Sequence, residues 1–151
     1  MKVMCPQERH VSAQATRYRL EIRASGLHRY GLFALEEIPR RRRVIEYTGK
    51  RVSLLEAWKI GPARDIYMVG LNFRWCLDGS SGGSGAEFVN HSCEPNMKCQ
   101  IVGERLYFVS RRKIRAGEEL TWKYRYPVKV KRIPCRCGAR RCRGTLRVLL
   151  S

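Results

Sequence analysis

Three cysteines crowd the C-terminal end of the chain as Cys135-x-Cys137-x4-Cys142, and a fourth, Cys93, sits in the polar stretch Asn90-His91-Ser92-Cys93-Glu94-Pro95-Asn96. Two thiolates one residue apart can converge on a single ion, and structural zinc asks for four donors in a tetrahedron. The clustering therefore points to metal before disulfide, with Cys93 as the expected fourth ligand beside Cys135, Cys137 and Cys142. Gly138 supplies a turn between them, and Arg140, Arg141 and Arg143 a positive field that favours thiolate over thiol. Such a zinc would be structural, tying a basic, core-poor tail to the body of the domain and making the order of that tail depend on the metal. Cys5, Cys76 and Cys99 stand alone and read as ordinary packing or surface cysteines.

The other side chains able to do chemistry are Tyr47, Tyr67, Tyr124 and His91. By type alone each has a plain reading. Aromatic residues in strand-like segments are common core residues, and a lone histidine is more often a satisfied structural group than an acid or base. What decides between the readings is the set of elements that would hold them. Tyr18, Leu20 and Ile22 alternate with charged residues, the period-two pattern of a half-buried strand, before Gly26 to Gly31 interrupts it as a loop. Further strands are expected at Val44 to Tyr47, Tyr67 to Phe73, Trp75 to Leu77, Met97 to Val102, Arg105 to Ser110 and Glu119 to Tyr124. Ser53 followed by Glu56 is a capping box opening one short helix, which Pro62 would end. Gly79 to Gly85 is almost entirely Gly and Ser and reads as a flexible surface loop inside one domain, because a linker there would leave only stubs of core on either side.

A chain of 151 residues supports one hydrophobic core but not two. No apolar run approaches the roughly 20 residues of a membrane span, and residues 1–9 carry no apolar leader, so an intracellular setting and no membrane partner are expected. The 31 Lys and Arg against 13 Asp and Glu give a formal charge of +18, of which the segment from Arg111 onward contributes +12 from 14 basic and two acidic residues. Anionic partners follow, DNA or RNA contact through this basic third among them, although a charge run is as often a solvated face. Arg40 to Arg43 could also pass for a nuclear address.

Five segments taken in order are more specific than any of these features. Gly26 to Ala34, Glu46-Tyr47-Thr48-Gly49, the run Gly85-Ala86-Glu87-Phe88-Val89-Asn90-His91-Ser92-Cys93-Glu94-Pro95-Asn96, Gly117-Glu118-Glu119-Leu120-Thr121-Trp122-Lys123-Tyr124 and the cysteine cluster with Arg143-Gly144-Thr145-Leu146 resemble the successive motifs of the SET-domain protein lysine methyltransferases with a post-SET zinc tail. The resemblance implies a mostly β fold of small antiparallel sheets with few short helices, a pseudoknot threaded by the Asn90 to Cys93 segment, and a C-terminal zinc site. It implies a domain at 17–126, a post-SET segment at 131–147 and an N-terminal extension at 1–16. It also implies S-adenosylmethionine as methyl donor. Backbone around His28, Tyr30 and Gly31 would cradle its methionine end, Asn90 and His91 its adenosine, and Tyr67 would lie between donor and substrate. Tyr47 and Tyr124 would line the lysine channel, Tyr124 as the catalytic hydroxyl, and Leu146 would close over it.

Three positions depart from that pattern. Glu87 occupies a cofactor-side position where the family usually has arginine, and Trp122 and Lys123 stand where Tyr-Asp or Phe-Asp is usual, Trp122 at the place that influences how many methyl groups are added. The implied substrate is a lysine on a histone, a histone-like protein or a nucleic-acid-associated protein, met by a monomeric enzyme. The implied location is chromatin in a eukaryote, or cytoplasm and nucleoid in a bacterium. Two other readings stay open on the residues alone: a basic zinc module that binds nucleic acid or chromatin, and an inactive SET interaction domain.

Overall fold

In the computed structural model of the protein, residues 9–60, 67–124 and 133–146 are described. The chain runs through β1 (Leu20–Ala24), β2 (Tyr30–Ala34), β3 (Arg43–Tyr47), β4 (Lys50–Ser53), α1 (Leu54–Ile60), β5 (Met68–Gly70) and β6 (Trp75–Asp78). A 3₁₀ turn at Ala86–Phe88 leads into β7 (Asn90–His91), β8 (Met97–Val102), β9 (Arg105–Ser110), β10 (Thr121–Trp122), β11 (Ile133–Pro134) and β12 (Thr145–Leu146). The protein is mostly β, as its alternating patterns required.

The sheets are small. β1 and β2 form an antiparallel pair, β3, β9 and β8 a three-stranded antiparallel sheet, and β4, β6 and β5 another. β9 displays the period-two logic: Leu106 and Phe108 face inward at 0% exposure while Tyr107 between them stays half-exposed. With Leu32, Ala34, Ile38, Val44, Ile45, Met97, Ile114 and Leu120 they make one continuous buried core. Each fully buried Leu, Ile or Phe there is worth roughly 1.5–3 kcal/mol. The outer edge of β3 does not remain bare. Residues 15 and 16 lie along it, with Glu46 N–H donating to Ala15 O at 2.8 Å and Thr16 Oγ1 to Val44 O at 2.6 Å.

Two elements position the site. β7 and β10 pair in parallel, Asn90 opposite Thr121 and His91 opposite Trp122, though 29 residues separate Asn90 from Glu119 beside that pair. Asn96 fixes the crossing from the side: its Nδ2 donates to Glu119 O at 2.8 Å and its Oδ1 accepts Thr121 N–H at 2.9 Å. Helix α1 opens on the expected capping box, Ser53 N–H donating to Glu56 Oε2 at 2.8 Å and Glu56 N–H to Ser53 Oγ at 3.2 Å. The helix ends at Ile60; Pro62 lies outside the described residues.

One expectation needs correction. The Gly79 to Gly85 segment is a loop, but not a surface loop along its whole length, since Gly79, Ser84 and Gly85 are buried. Ser84 Oγ donates to Glu46 O, and a side chain at Gly79 would run into Glu87 Cβ and the Tyr47 hydroxyl. Glycine is present here because the segments carrying Tyr47 and Glu87 approach each other closely, a use that composition alone cannot tell from flexibility.

Candidate active site and metal centre

Asn90, 6% exposed, reaches from β7 into the loop between β1 and β2. Its Nδ2 lies 2.9 Å from Tyr30 O, 3.4 Å from His28 O, 3.3 Å from Ser25 Oγ and 2.7 Å from Glu119 Oε1. Ser25 Oγ in turn donates to the Glu119 carboxylate at 2.8 Å and accepts Leu27 N–H at 2.9 Å. One amide thereby draws the His28 and Tyr30 carbonyls to the same point, with Gly31 pressed against Glu119 so closely that a Cβ would meet its carboxylate. His28 and Tyr30 stay exposed, and the Arg9 guanidinium covers the Tyr30 ring at 3.7 Å. Ser25 carries no special signature in the sequence, and Glu119 is marked there only as part of the Gly117 to Tyr124 motif, not as a partner of Asn90.

The tyrosines belong to a run of rings. Tyr47 stands edge-on to Phe108 at 6.1 Å, Phe108 lies 5.2 Å from Trp122, Trp122 5.4 Å from Tyr124, and Tyr124 5.5 Å from His91. Tyr67 packs edge-on against Phe88 at 6.2 Å and takes the Tyr47 hydroxyl hydrogen on its carbonyl. Tyr124 Oη donates to Val89 O at 2.9 Å. Burial raises the Tyr47 phenol well above its ordinary pKa, and the nearby Glu87, Tyr124 and Asp78 push in the same direction. It is a neutral donor throughout the physiological range.

Glu87 is the anomaly among these groups. At 8% exposure it holds a carboxyl whose Oε2 accepts Gly85 N–H at 2.9 Å, with Gly83 and Gly79 packed against the rest of the side chain. Burial raises its pKa to about 7, against the lowering pull of the backbone donors and of His10.

At the other end of β7, Cys93, Cys135 and Cys137 meet. Two thiolates bound tetrahedrally at about 2.3 Å from zinc stand about 3.8 Å apart; Cys93 Sγ and Cys135 Sγ are separated by 3.9 Å. Cys93 N–H donates to Cys137 Sγ at 3.4 Å, and Cys142 Sγ sits 3.7 Å from Cys135 O within reach of the same thiols. Burial alone would raise the Cys137 thiol, but the N–H groups of Cys93 and Ala139 and the neighbouring thiols bring it down to about 6. The donor set fits a structural zinc.

His91 enters this cluster unforeseen. The ligand atoms of His91, Cys93, Cys135 and Cys137 all fall within 4.8 Å of one another. Its Nδ1 accepts Tyr124 N–H at 3.0 Å, which leaves the proton of a neutral ring on Nε2, 3.4 Å from Cys93 Sγ. A nitrogen that carries its proton donates to a thiolate and does not ligate a metal, so the geometry favours Cys142 over His91 as fourth donor. Burial, then the charge of Lys123, lowers the His91 pKa to about 4, in keeping with a neutral ring. Leu146, half-buried on β12 opposite Ile133, follows directly after the cluster.

Comparison with known proteins agrees with this architecture. The SET domain family model matches residues 29–125. Histone-lysine N-methyltransferase SETD1 of Drosophila melanogaster is 34% identical over 141 residues, covering 85% of this chain and 8% of that protein. Histone-lysine N-methyltransferase set-2 of Caenorhabditis elegans is 36% identical over 132 residues, covering 81% and 9%. Histone-lysine N-methyltransferase ATXR7 of Arabidopsis thaliana is 34% identical over 139 residues, covering 83% and 10%. The chain thus spans a tenth or less of the length of these relatives. Among solved structures, KRYPTONITE in complex with mCHG DNA and SAH superposes with a TM-score of 0.74 at 30% identity, over 87% of this chain and 30% of that one. Fold, ordered motifs and relatives converge: the chain belongs to the SET-domain family.

Proposed function

We propose that the protein transfers a methyl group from S-adenosylmethionine to the side-chain amine of a lysine on a histone or a nucleic-acid-associated protein. The observation that carries this reading is the run of rings from Tyr47 through Phe108 and Trp122 to Tyr124, set against the β1–β2 loop that Asn90 ties down. S-adenosylmethionine, when bound, supplies an electrophilic methyl on a sulfonium. The convergent carbonyls of His28 and Tyr30 suit its ammonium group, and Asn90, with the backbone of His91 beyond it, flanks the position of the adenosine. Gly31 lets the loop approach Glu119, and Tyr67, with Glu87 near it, borders the space between donor and acceptor.

The chain must then present a lysine that has lost its proton. With an ordinary pKa of about 10.4, neutralising it at pH 7 costs roughly 4–5 kcal/mol. Rings that exclude water disfavour the ammonium form, and Tyr47 adds no negative charge because it stays protonated. The Tyr124 hydroxyl orients the amine and the Tyr47 hydroxyl steadies the wall, while alignment of the two reactants supplies most of the acceleration. Trp122, bulkier than Phe or Tyr, narrows the channel. Cys93, Cys135, Cys137 and Cys142 would hold a structural zinc, which would tie the segment carrying Leu146 down as a lid.

On this reading the SET domain occupies 17–126, the post-SET segment 131–147 and the N-terminal extension 1–16, and the protein works as a monomer at chromatin, its basic C-terminal third facing anionic partners. Titration calorimetry of the zinc-loaded protein with S-adenosylmethionine tests the proposal, followed by labelled-methyl transfer to core histones and nucleosomes. Saturable binding with label on lysine is expected. Failure of the zinc-loaded protein to bind the donor would overturn it and favour the basic binding module.

A further inference from the structure

The strongest feature that the methyl-transfer site leaves unused is a concentration of arginine at the end of the three-stranded sheet where β3 begins and β9 ends. Two basic runs far apart in sequence, Arg40 to Arg43 before β3 and Arg111 to Arg115 after β9, are stapled into one ridge. Ile38 and Ile114 exchange backbone hydrogen bonds at 2.9 Å, Arg41 N–H donates to Ser110 O at 2.9 Å, Arg42 N–H to Ser110 Oγ at 2.9 Å, and Ser110 Oγ to Pro39 O at 2.6 Å. Arg40 Nε closes the seam on Arg111 O at 3.0 Å. All eight basic side chains, Arg40, Arg41, Arg42, Arg43, Arg111, Arg112, Lys113 and Arg115, are exposed.

Among the described residues only Lys113 and Arg112 of the ridge form ion pairs, with Glu37 at 2.8 Å and Glu118 at 2.9 Å, although Arg115 also acts on Glu118 through its charge and its backbone N–H. The other six guanidinium groups stand together without an ion pair, and gathering like charges costs folding free energy. The backbone adds to that cost. Arg41 has φ 62°, a left-handed conformation that glycine adopts freely and an L side chain does not. A merely solvated turn is served better there by Gly or Asn. Seven of the eight residues are Arg, whose planar fork matches a phosphate, and only one is Lys. The ridge also borders the zinc tail, since the Glu94–Pro95 turn takes Arg111 Nη1 on Pro95 O and the Arg141 N–H on Glu94 Oε2, both at 3.4 Å.

We infer that this ridge docks the phosphate backbone of double-stranded DNA. The duplex is favoured over a single strand because the nearby aromatic face is taken: Arg43 lies over the Tyr107 ring at 4.5 Å and Arg105 at 5.6 Å, leaving that ring no platform for an unstacked base. The interaction is independent of sequence and would hold the enzyme near proteins already on DNA. It does not rest on the methyl-transfer reading.

The test measures binding of the full-length protein to a labelled DNA duplex by fluorescence anisotropy across salt. With a log–log slope of about −0.9 per neutralised phosphate, six free guanidinium groups give a slope of about −5, roughly a 10³-fold loss of affinity between 50 and 200 mM salt. The variant Arg40→Gln/Arg42→Gln/Arg111→Gln should cut that slope to about half. Arg41→Gly separates binding from folding, since it should raise the melting temperature yet reduce the slope by about one. Arg51→Gln and Arg74→Gln, away from the ridge, should leave the slope unchanged. A slope of about one or less, an unchanged slope in the triple variant, tighter binding to a single strand of the same sequence, or stronger ridge-dependent binding to anionic phospholipid vesicles than to DNA would each overturn the inference.

Discussion

Replacing Glu87 by Gln should stabilise the protein, and by an amount that grows with pH. In the folded chain the carboxyl is buried, takes the backbone N–H groups of Gly85 and of Glu87 itself, and lies close enough to Tyr47 and Tyr67 to act on both, with His10 offsetting only part of the burial. Its pKa near 7 stands well above the value of about 4.3 it regains on unfolding. A carboxyl raised in the folded state costs nothing below the unfolded pKa, where both states hold the proton. From about pH 4 to about pH 7 the unfolded state ionises and the folded state does not, so stability falls with rising pH and then levels off. At about 1.36 kcal/mol per pKa unit the full loss is roughly 4 kcal/mol. The glutamine keeps the shape and the acceptor for Gly85 but never ionises. Glu87→Gln should therefore lie within about 1 kcal/mol of the parent protein near pH 4.5 and exceed it by roughly 4 kcal/mol at pH 8, a rise of roughly 8–16 °C in melting temperature for a chain of this size. Calorimetric melts of the two proteins side by side from pH 4.5 to pH 8 measure this, and effects common to both, zinc loss in acid included, cancel in the difference. A difference that stays constant with pH, or a glutamine variant less stable than its parent at pH 8, would refute the reasoning.

The metal centre is expected to carry one zinc per chain, and Cys142→Ser should lower metal content measured by atomic emission while His91→Gln leaves it near one. His91→Ala should remove the acceptor for Tyr124 N–H and the donor to Cys93 together, costing about 1 kcal/mol in thermal unfolding because partly buried partners lose their hydrogen bonds; an unchanged melting temperature would show that neither bond contributes. Chelation of the zinc should raise amide hydrogen exchange across residues 133–146 and leave β8 and β9 protected, since only the tail depends on the metal.

Much of this fold was legible because period-two alternation survives wherever a strand is long enough to display it. β8 and β9 lie where alternation placed them, and the Ser53–Glu56 box opens α1 as expected. β4 escaped because Lys50 and Arg51 are exposed and only Val52 buries a side chain. β7 and β10, two residues each, are too short for any period; they exist because Asn96 and the parallel pairing hold them. The cysteine cluster was readable from spacing, and Cys93 joined it in the structure. The role of His91 as a bridge between Cys93 and Tyr124 was not, because it depends on which ring nitrogen meets the Tyr124 amide. The bonds of Ser25 and Glu119 with Asn90 went unread because a polar network is written in three dimensions, and the arginine ridge because its two halves lie 68 or more residues apart.

The central claim, that the run of rings from Tyr47 to Tyr124 serves lysine methylation, is tested most directly by labelled-methyl transfer from S-adenosylmethionine by the parent protein and by Tyr124→Phe, with modified residues mapped by mass spectrometry. The account predicts label on lysine with the parent and a loss of at least 10²-fold in rate with Tyr124→Phe, while the variant still binds zinc and the methyl donor. Transfer at the parental rate by Tyr124→Phe, or label on residues other than lysine, would contradict it.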